Sequence, residues 1–227
     1  MRKNDRLIMS MAGRAVKFCG DNPDPNPATG QVAERLVGLR NEAIDLTEVR
    51  QQGAATAAAS VKQKEQLRED IGLRLSALVQ AARQAAREHP EIAVHRRIPR
   101  SVRHSNEVVL LTTARVAVAE AGTILPLLEP HGMTQELLGS LSQLLDAFEA
   151  ELDRQRRAMN SQVGATANLS AVCSDILSVV RNLDALHRIR FKGDPERLVA
   201  WKSARKVARA QPPEEEDTPP VGESRVG

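Results

Sequence analysis

Residues 61–86 read VKQKEQLREDIGLRLSALVQAARQAA, and this stretch decides the fold class. Its apolar residues keep mostly to steps of three and four, the period of a helix with one apolar face. This stripe consists of Val61, Leu67, Ile71, Leu75, Leu78 and Ala82. An earlier stripe consists of Val32, Leu36, Leu39, Ala43, Leu46 and Val49. Because no proline lies between residues 28 and 89, the pattern predicts one long helix there.

A second long helix is predicted from residue 134 to about residue 188, again without proline. Thr134 is a good N-cap, and Met133 and Leu138 stand at the positions of a hydrophobic staple. The apolar stripe of this helix is Leu138, Leu141, Leu145, Phe148, Leu152, Met159, Val163, Thr166, Cys173, Leu177, Val180 and Leu183. The segment 106–125 predicts a shorter helix. Its apolar residues occupy so many positions that we expect it to be the most buried helix.

Composition supports the same class, because the chain has three Phe, one Trp and no Tyr. Strands favour aromatic and β-branched residues, whereas this chain is rich in helix formers. The predicted fold is all-α: an elongated helical bundle, with coiled-coil character, of two long amphipathic helices, one shorter buried helix and short terminal helices. The predicted division is a short basic N-terminal helix at 1–20, the bundle at 28–209 and a disordered tail rich in Pro and acidic residues at 210–227.

Both long helices have centres of small residues. Gly53 and Ala57 lie in the first, and Gly164 and Ala167 in the second. Small residues allow two helix backbones to approach closely, so these four are candidates for a helix crossing. The alternative is that each glycine marks a kink. In the last predicted helix, Asp194 is the N-cap and Trp201 is the expected core anchor.

No motif for catalysis, cofactor binding or metal binding stands out. Asp184 and His187 resemble half of a di-iron motif, but a surface pair near a helix C-terminus is the favoured interpretation. Cys19 and Cys173 lack metal-ligand spacing, which predicts reduced thiols in a cytoplasmic protein. We therefore expect no enzyme activity, no cofactor and no metal. No run approaches the length of a membrane span, so no membrane association is expected.

The connector 89–104 is basic, and Arg96, Arg97, Arg100 and Arg103 are its candidate contacts to a polyanion. The alternative is an ordinary solvated loop, which the net charge of +3 allows. The leading functional hypothesis is a non-enzymatic bundle that acts through an unknown protein partner or as a homo-oligomer. The second is an accessory protein that binds nucleic acid or another polyanion through this connector. The third is a bundle that binds a metal or small ligand.

The second half of the chain resembles a group of uncharacterised bacterial helical proteins of about this size. The resemblance rests on the stretches 183–187, 191–195 and 198–207, which include a GDPxxLxxWxxARxV pattern. Gly132-Met133 at the start of a long helix and the Gly-Ala-Thr-Ala run at 164–167 are similar as well. The resemblance implies a bacterial, all-helical protein and implies no activity or functional residue.

Overall fold

The computed structural model describes residues 3–98 and 104–207, and every regular element in these ranges is helical. The helices are α1 (Lys3–Asp21), α2 (Pro27–Glu88), α3 (Val94–Arg97), α4 (Glu107–Thr123), α5 (Leu125–Leu128), α6 (Gln135–Arg190) and α7 (Pro195–Ala204). A short 3₁₀ turn, Glu129–His131, follows α5. The predicted all-α class with two long helices is confirmed.

Local capping chemistry sets the helix starts. Thr134 Oγ1 accepts a hydrogen bond from the Leu137 backbone N at 3.3 Å, and Asp194 Oδ1 accepts one from the Arg197 N at 3.0 Å. Both caps satisfy amides that lack a partner in the first helical turn. Gly132 has a φ of 88°, which glycine adopts without strain and which turns the chain into α6. The helix starts predicted at 134 and 194 are therefore confirmed.

The chain divides into two compact units. Unit 1 comprises residues 1–47 and 166–227, and unit 2 comprises residues 48–165. The structure thus groups α1 with parts of α2 and α6 and with α7, whereas the sequence predicted residues 1–20 as a segment apart from the bundle. The predicted disordered tail at 210–227 lies outside the described residues.

Unit 1 has a core built by α1, α7 and the adjoining ends of the two long helices. Its largest fully buried side chains include Trp201, Met11, Leu36 and Leu169. The Pro-rich segment after α1 is held in place by Arg190, whose guanidinium donates to the backbone carbonyls of Asn22 (2.9 Å) and Pro23 (2.8 Å). A segment that cannot form a helix is therefore fixed by side-chain donors.

Unit 2 has an aliphatic core, and its long helices run antiparallel. Arg74 Nη1 donates to Ser140 Oγ at 2.6 Å, and the Arg68 guanidinium lies 5.8 Å from the centre of the Phe148 ring. From the first contact to the second, the residue number falls from 74 to 68 on α2 and rises from 140 to 148 on α6. The sequence had left these helix directions open.

One helix in the described part of the chain, α6, has the length and composition to cross a membrane. Its most apolar window of 18 residues has a mean hydropathy of 1.5, and 39% of that window is buried inside the protein. Taken as one span bent by 90°, α4 and Leu125–His131 pass the same test. Core helices of soluble proteins pass it too, so the predicted lack of membrane association stays a prediction.

Candidate interaction surface

Helix α4 buries only one face. The side chains that enter the unit 2 core are Leu110, Ala114, Ala117 and Ala121. Val108, in contrast, is 73% exposed, and Val109 and Val116 are 44% and 47% exposed. The prediction that this helix is the most buried one is therefore wrong. An all-round apolar pattern normally indicates burial on every side, but in the described chain only one side of α4 is covered.

Polar contacts cap the N-terminal end of α4 and fix the helix to α2 and α6. Asn106 caps the helix by accepting from the Val109 N at 2.9 Å. Glu107 forms an ion pair with Lys64 on α2. Arg115 reaches Asp146 at 2.9 Å and Glu149 at 2.5 Å, both on α6. Glu107 and Arg115 therefore connect α4 with the two long helices of unit 2.

The side of α4 opposite the core is mainly apolar, and its one exposed charged residue, Arg115, pairs with Asp146 and Glu149 of α6. We call this surface the α4 outer face and define it by its exposed residues Val108, Val109, Thr112, Val116, Ala119 and Gly122. Single exposed valines are normal on protein surfaces, whereas a mainly apolar stripe along one helix is typical of a contact site. The sequence contained the signal, namely apolar residues on every side of this helix, but we interpreted it as burial.

Gly53 lies at a close approach between the backbones of α2 and α6. A Cβ atom placed on Gly53 would lie 3.0 Å from the Ala158 carbonyl oxygen and 3.3 Å from the Gln162 Cβ. A side chain at this position would therefore press on the α6 backbone, which would have to move by a few tenths of an ångström to accept it.

Gly164 has a different environment, although the sequence around it is similar. A Cβ placed there would meet no atom within 4 Å, and the residue is exposed. The structure does not pair Gly53 with Gly164: the neighbours of Gly53 are Ala158 and Gln162. Ala57 is partly buried and Ala167 is exposed.

The basic connector contains a buried apolar part that the sequence interpretation missed. Ile92, Val94 and Ile98 are buried in the unit 2 core, so this part is not an ordinary solvated loop. Of the predicted polyanion contacts, Arg96 is exposed and Arg97 belongs to α3. Arg100 and Arg103 lie outside the described residues. Among these four arginines, only the side chain of Arg96 belongs to the part of the chain that the structure describes, so the predicted polyanion contact stays a prediction.

His187 is 1% exposed, so the predicted surface pair with Asp184 is wrong for the histidine. Its ring lies 4.5 Å from Trp201 and 5.5 Å from Phe18, and it stacks on Phe191 at 5.4 Å, measured between ring centres. Asp184 accepts from Trp201 Nε1 at 3.0 Å. Trp201 is fully buried by these contacts and fastens α7 to unit 1. Positions 180, 183 and 187 continue the apolar stripe of α6, and that spacing could have predicted the burial.

The Cys19 sulfur beside this ring is unsuited to nucleophilic chemistry. Cys19 Sγ lies 3.7 Å from His187 Nε2. Burial raises the pKa of the Cys19 thiol to about 11, and burial together with the nearby Arg190 lowers the pKa of His187. Both shifts favour the neutral pair over a thiolate and an imidazolium, the charged pair that activates catalytic cysteines.

Within residues 3–98 and 104–207 there is no group of three or more His, Cys, Asp or Glu side chains that could hold a metal ion. No protein-family model matches the chain, and neither the curated proteins nor the solved structures include a significant match. The resemblance to bacterial helical proteins therefore stays a prediction.

Proposed function

We propose that this protein is a non-enzymatic helical-bundle protein that acts through protein–protein contact, and that it associates with itself through the α4 outer face. The observation that supports this proposal is the valine-rich exposed surface of α4, a helix that Glu107 and Arg115 fix to the rest of unit 2. Covering exposed valine contributes about 25 cal/mol per Å² of apolar area removed from water. Because α4 is already ordered, association costs little further backbone entropy.

A charge placed on the α4 outer face tests this proposal. We expect Val116→Glu to prevent association, because a carboxylate buried in an apolar contact has no partner. The full-length chain is examined by sedimentation velocity over a wide concentration range. The unaltered protein is expected to shift from monomer to dimer as concentration rises, and Val116→Glu is expected to remain monomeric.

Val163→Glu is the matched control. Val163 is also an exposed valine of unit 2, at 69% exposure, but it lies on α6. This variant is expected to associate as the unaltered protein does. A chain that sediments as a monomer at every concentration, or a Val116→Glu variant that associates normally, would contradict the proposal.

We also propose a cytoplasmic location and a bacterial source. Cys19 and Cys173 are both free thiols, which is typical of proteins in reducing compartments. The bacterial source follows from the resemblance of the C-terminal half. Mass measurement after thiol labelling of protein from intact cells tests the thiol state: two labelled cysteines are expected, and a disulfide would count against the cytoplasm.

A further inference from the structure

The next inference rests on the proposed function and concerns the geometry of the association. We infer that the α4 outer face binds the same face of a second copy of this chain, with the two α4 helices antiparallel about a two-fold axis. Such an interface is isologous, so one patch serves both subunits and closes the assembly at a dimer.

The chemistry of the α4 outer face favours a second copy as its occupant. Its one cation, Arg115, is paired with Asp146 and Glu149, so the face offers no basic cluster that selects an acidic peptide or an anionic lipid. The part of this chain that the structure does not describe after residue 207 contains the acidic run 214–217 and four prolines. That segment would bring further carboxylates to a surface whose one cation, Arg115, is already paired with Asp146 and Glu149. A second α4 outer face has the same apolar stripe and the same length.

The order of large and small side chains indicates the orientation. Val109, Thr112, Val116 and Ala119 follow each other at steps of three, four and three, the spacing of a two-helix seam. In an antiparallel pair, Val109 faces Ala119 of the second copy, and Val116 faces Thr112 of the second copy. Each layer then contains one valine and one smaller side chain, so the helices keep one separation along the seam.

A parallel pair would distribute the same residues unevenly. Val109 would face Val109 of the second copy, and Ala119 would face Ala119 of the second copy. The valine layer would hold the helices apart and leave a gap at the alanine layer. The charge of Arg115 does not oppose either arrangement strongly, because this side chain is bound to Asp146 and Glu149.

The size of the seam sets the expected strength. A helix of 17 residues extends over roughly 25 Å at 1.5 Å per residue, so one pair of such helices forms an interface at the small end of specific contacts. The dimer is therefore expected to be weak and reversible, which requires measurements over a range of concentrations.

Disulfide trapping between two variants of the full-length chain, each with one added cysteine, tests the orientation. Val109→Cys and Ala119→Cys proteins are mixed under mild oxidation. We expect the mixed dimer to form about tenfold faster than either variant forms a dimer alone. In the antiparallel register, two copies of the same position lie roughly 15 Å apart along the axis, which is ten residues and beyond disulfide reach. The unaltered protein, with Cys19 and Cys173, gives the background rate.

The outcomes separate the inference from the proposed function. If Val109→Cys cross-links to itself faster than the mixture does, the helices are parallel and the inference is overturned, although association stands. If sedimentation shows a dimer that Val116→Glu does not disrupt, the α4 outer face is not the contact and both fail. If the protein stays monomeric but binds neutral phosphatidylcholine vesicles, and Val116→Glu abolishes that binding, a lipid surface is the occupant and the inference is again overturned.

Discussion

Unit 1 and unit 2 bury their side chains by different means. Two of the three phenylalanines, the single tryptophan and the buried histidine all belong to the unit 1 core. The unit 2 core contains Phe148 and otherwise aliphatic side chains. Unit 1 thus concentrates its packing around a few large rings and one titratable group, whereas unit 2 distributes its packing over many Leu and Ala contacts. We expect the stability of unit 1 to be sensitive to substitution of single rings and to pH. We expect the stability of unit 2 to be sensitive to the spacing between its helices.

The largest expected effect comes from removing the central ring of unit 1. Trp201→Ala leaves a cavity in a fully buried site and removes the donor to Asp184, so we expect a loss of about 3–5 kcal/mol in the free energy of unfolding. Chemical denaturation measures the loss, and amide hydrogen exchange locates it. Exchange should rise in α1 and α7 and stay unchanged at residues 110–148.

Val199→Ala is the control on the same helix, because Val199 is 64% exposed. Its stability should lie within about 0.5 kcal/mol of the unaltered protein. If Trp201→Ala raised exchange equally in both units, the comparison between them would fail.

The second largest effect is expected in unit 2, from substitutions of Gly53 and Gly164. Gly53→Ala forces a methyl group against the α6 backbone, and we expect it to destabilise the protein by about 1–3 kcal/mol. Gly164→Ala is the matched variant in open space, where alanine is the better helix former and should stabilise by up to about 1 kcal/mol. Thermal unfolding of both proteins tests the prediction. Equal effects of the same sign would show that Gly53 does not mark a close helix approach.

The smallest effect concerns pH and unit 1. The folded state lowers the pKa of His187, chiefly through burial and also through Arg190, while Asp24 and Asp184 oppose that shift. The unfolded chain therefore binds a proton more readily. The stability contributed by neutral His187 is complete above the ordinary pKa of about 6.5 and is lost as pH falls from there towards the folded pKa.

His187→Phe keeps an aromatic ring and removes this titration. The difference in unfolding free energy between the two proteins should change with pH below about 6.5, by at most about 1.4 kcal/mol per pH unit. Denaturation of both proteins at several pH values measures this difference. Parallel pH profiles of His187→Phe and the unaltered protein would contradict the prediction.

Local chemistry explains which features could be predicted from the sequence. The helix starts at Thr134 and Asp194 depend on a side chain and an amide three residues apart, so the sequence contains the whole interaction. The two long helices follow from apolar spacing and missing prolines. These features need no knowledge of the tertiary structure.

The features that could not be predicted depend on which elements meet. Gly53 and Gly164 stand in similar local sequences, and only the register of α2 against α6 places one of them at a close approach. The apolar pattern of α4 is compatible with burial on every side. The path of the chain before and after α4 decides how many neighbours cover this helix. In the described structure, the α4 outer face remains uncovered.

The position of Trp201 has a practical consequence for optical measurements. The chain has one tryptophan and no tyrosine, so its near-ultraviolet fluorescence comes almost entirely from one ring in unit 1. A fluorescence melting curve therefore reports the environment of α7, because unit 2 contains neither tryptophan nor tyrosine. Circular dichroism, in contrast, follows the helices of both units. When the two signals are recorded on the same sample, any separation between their midpoints is a direct reading of how independently the two units unfold.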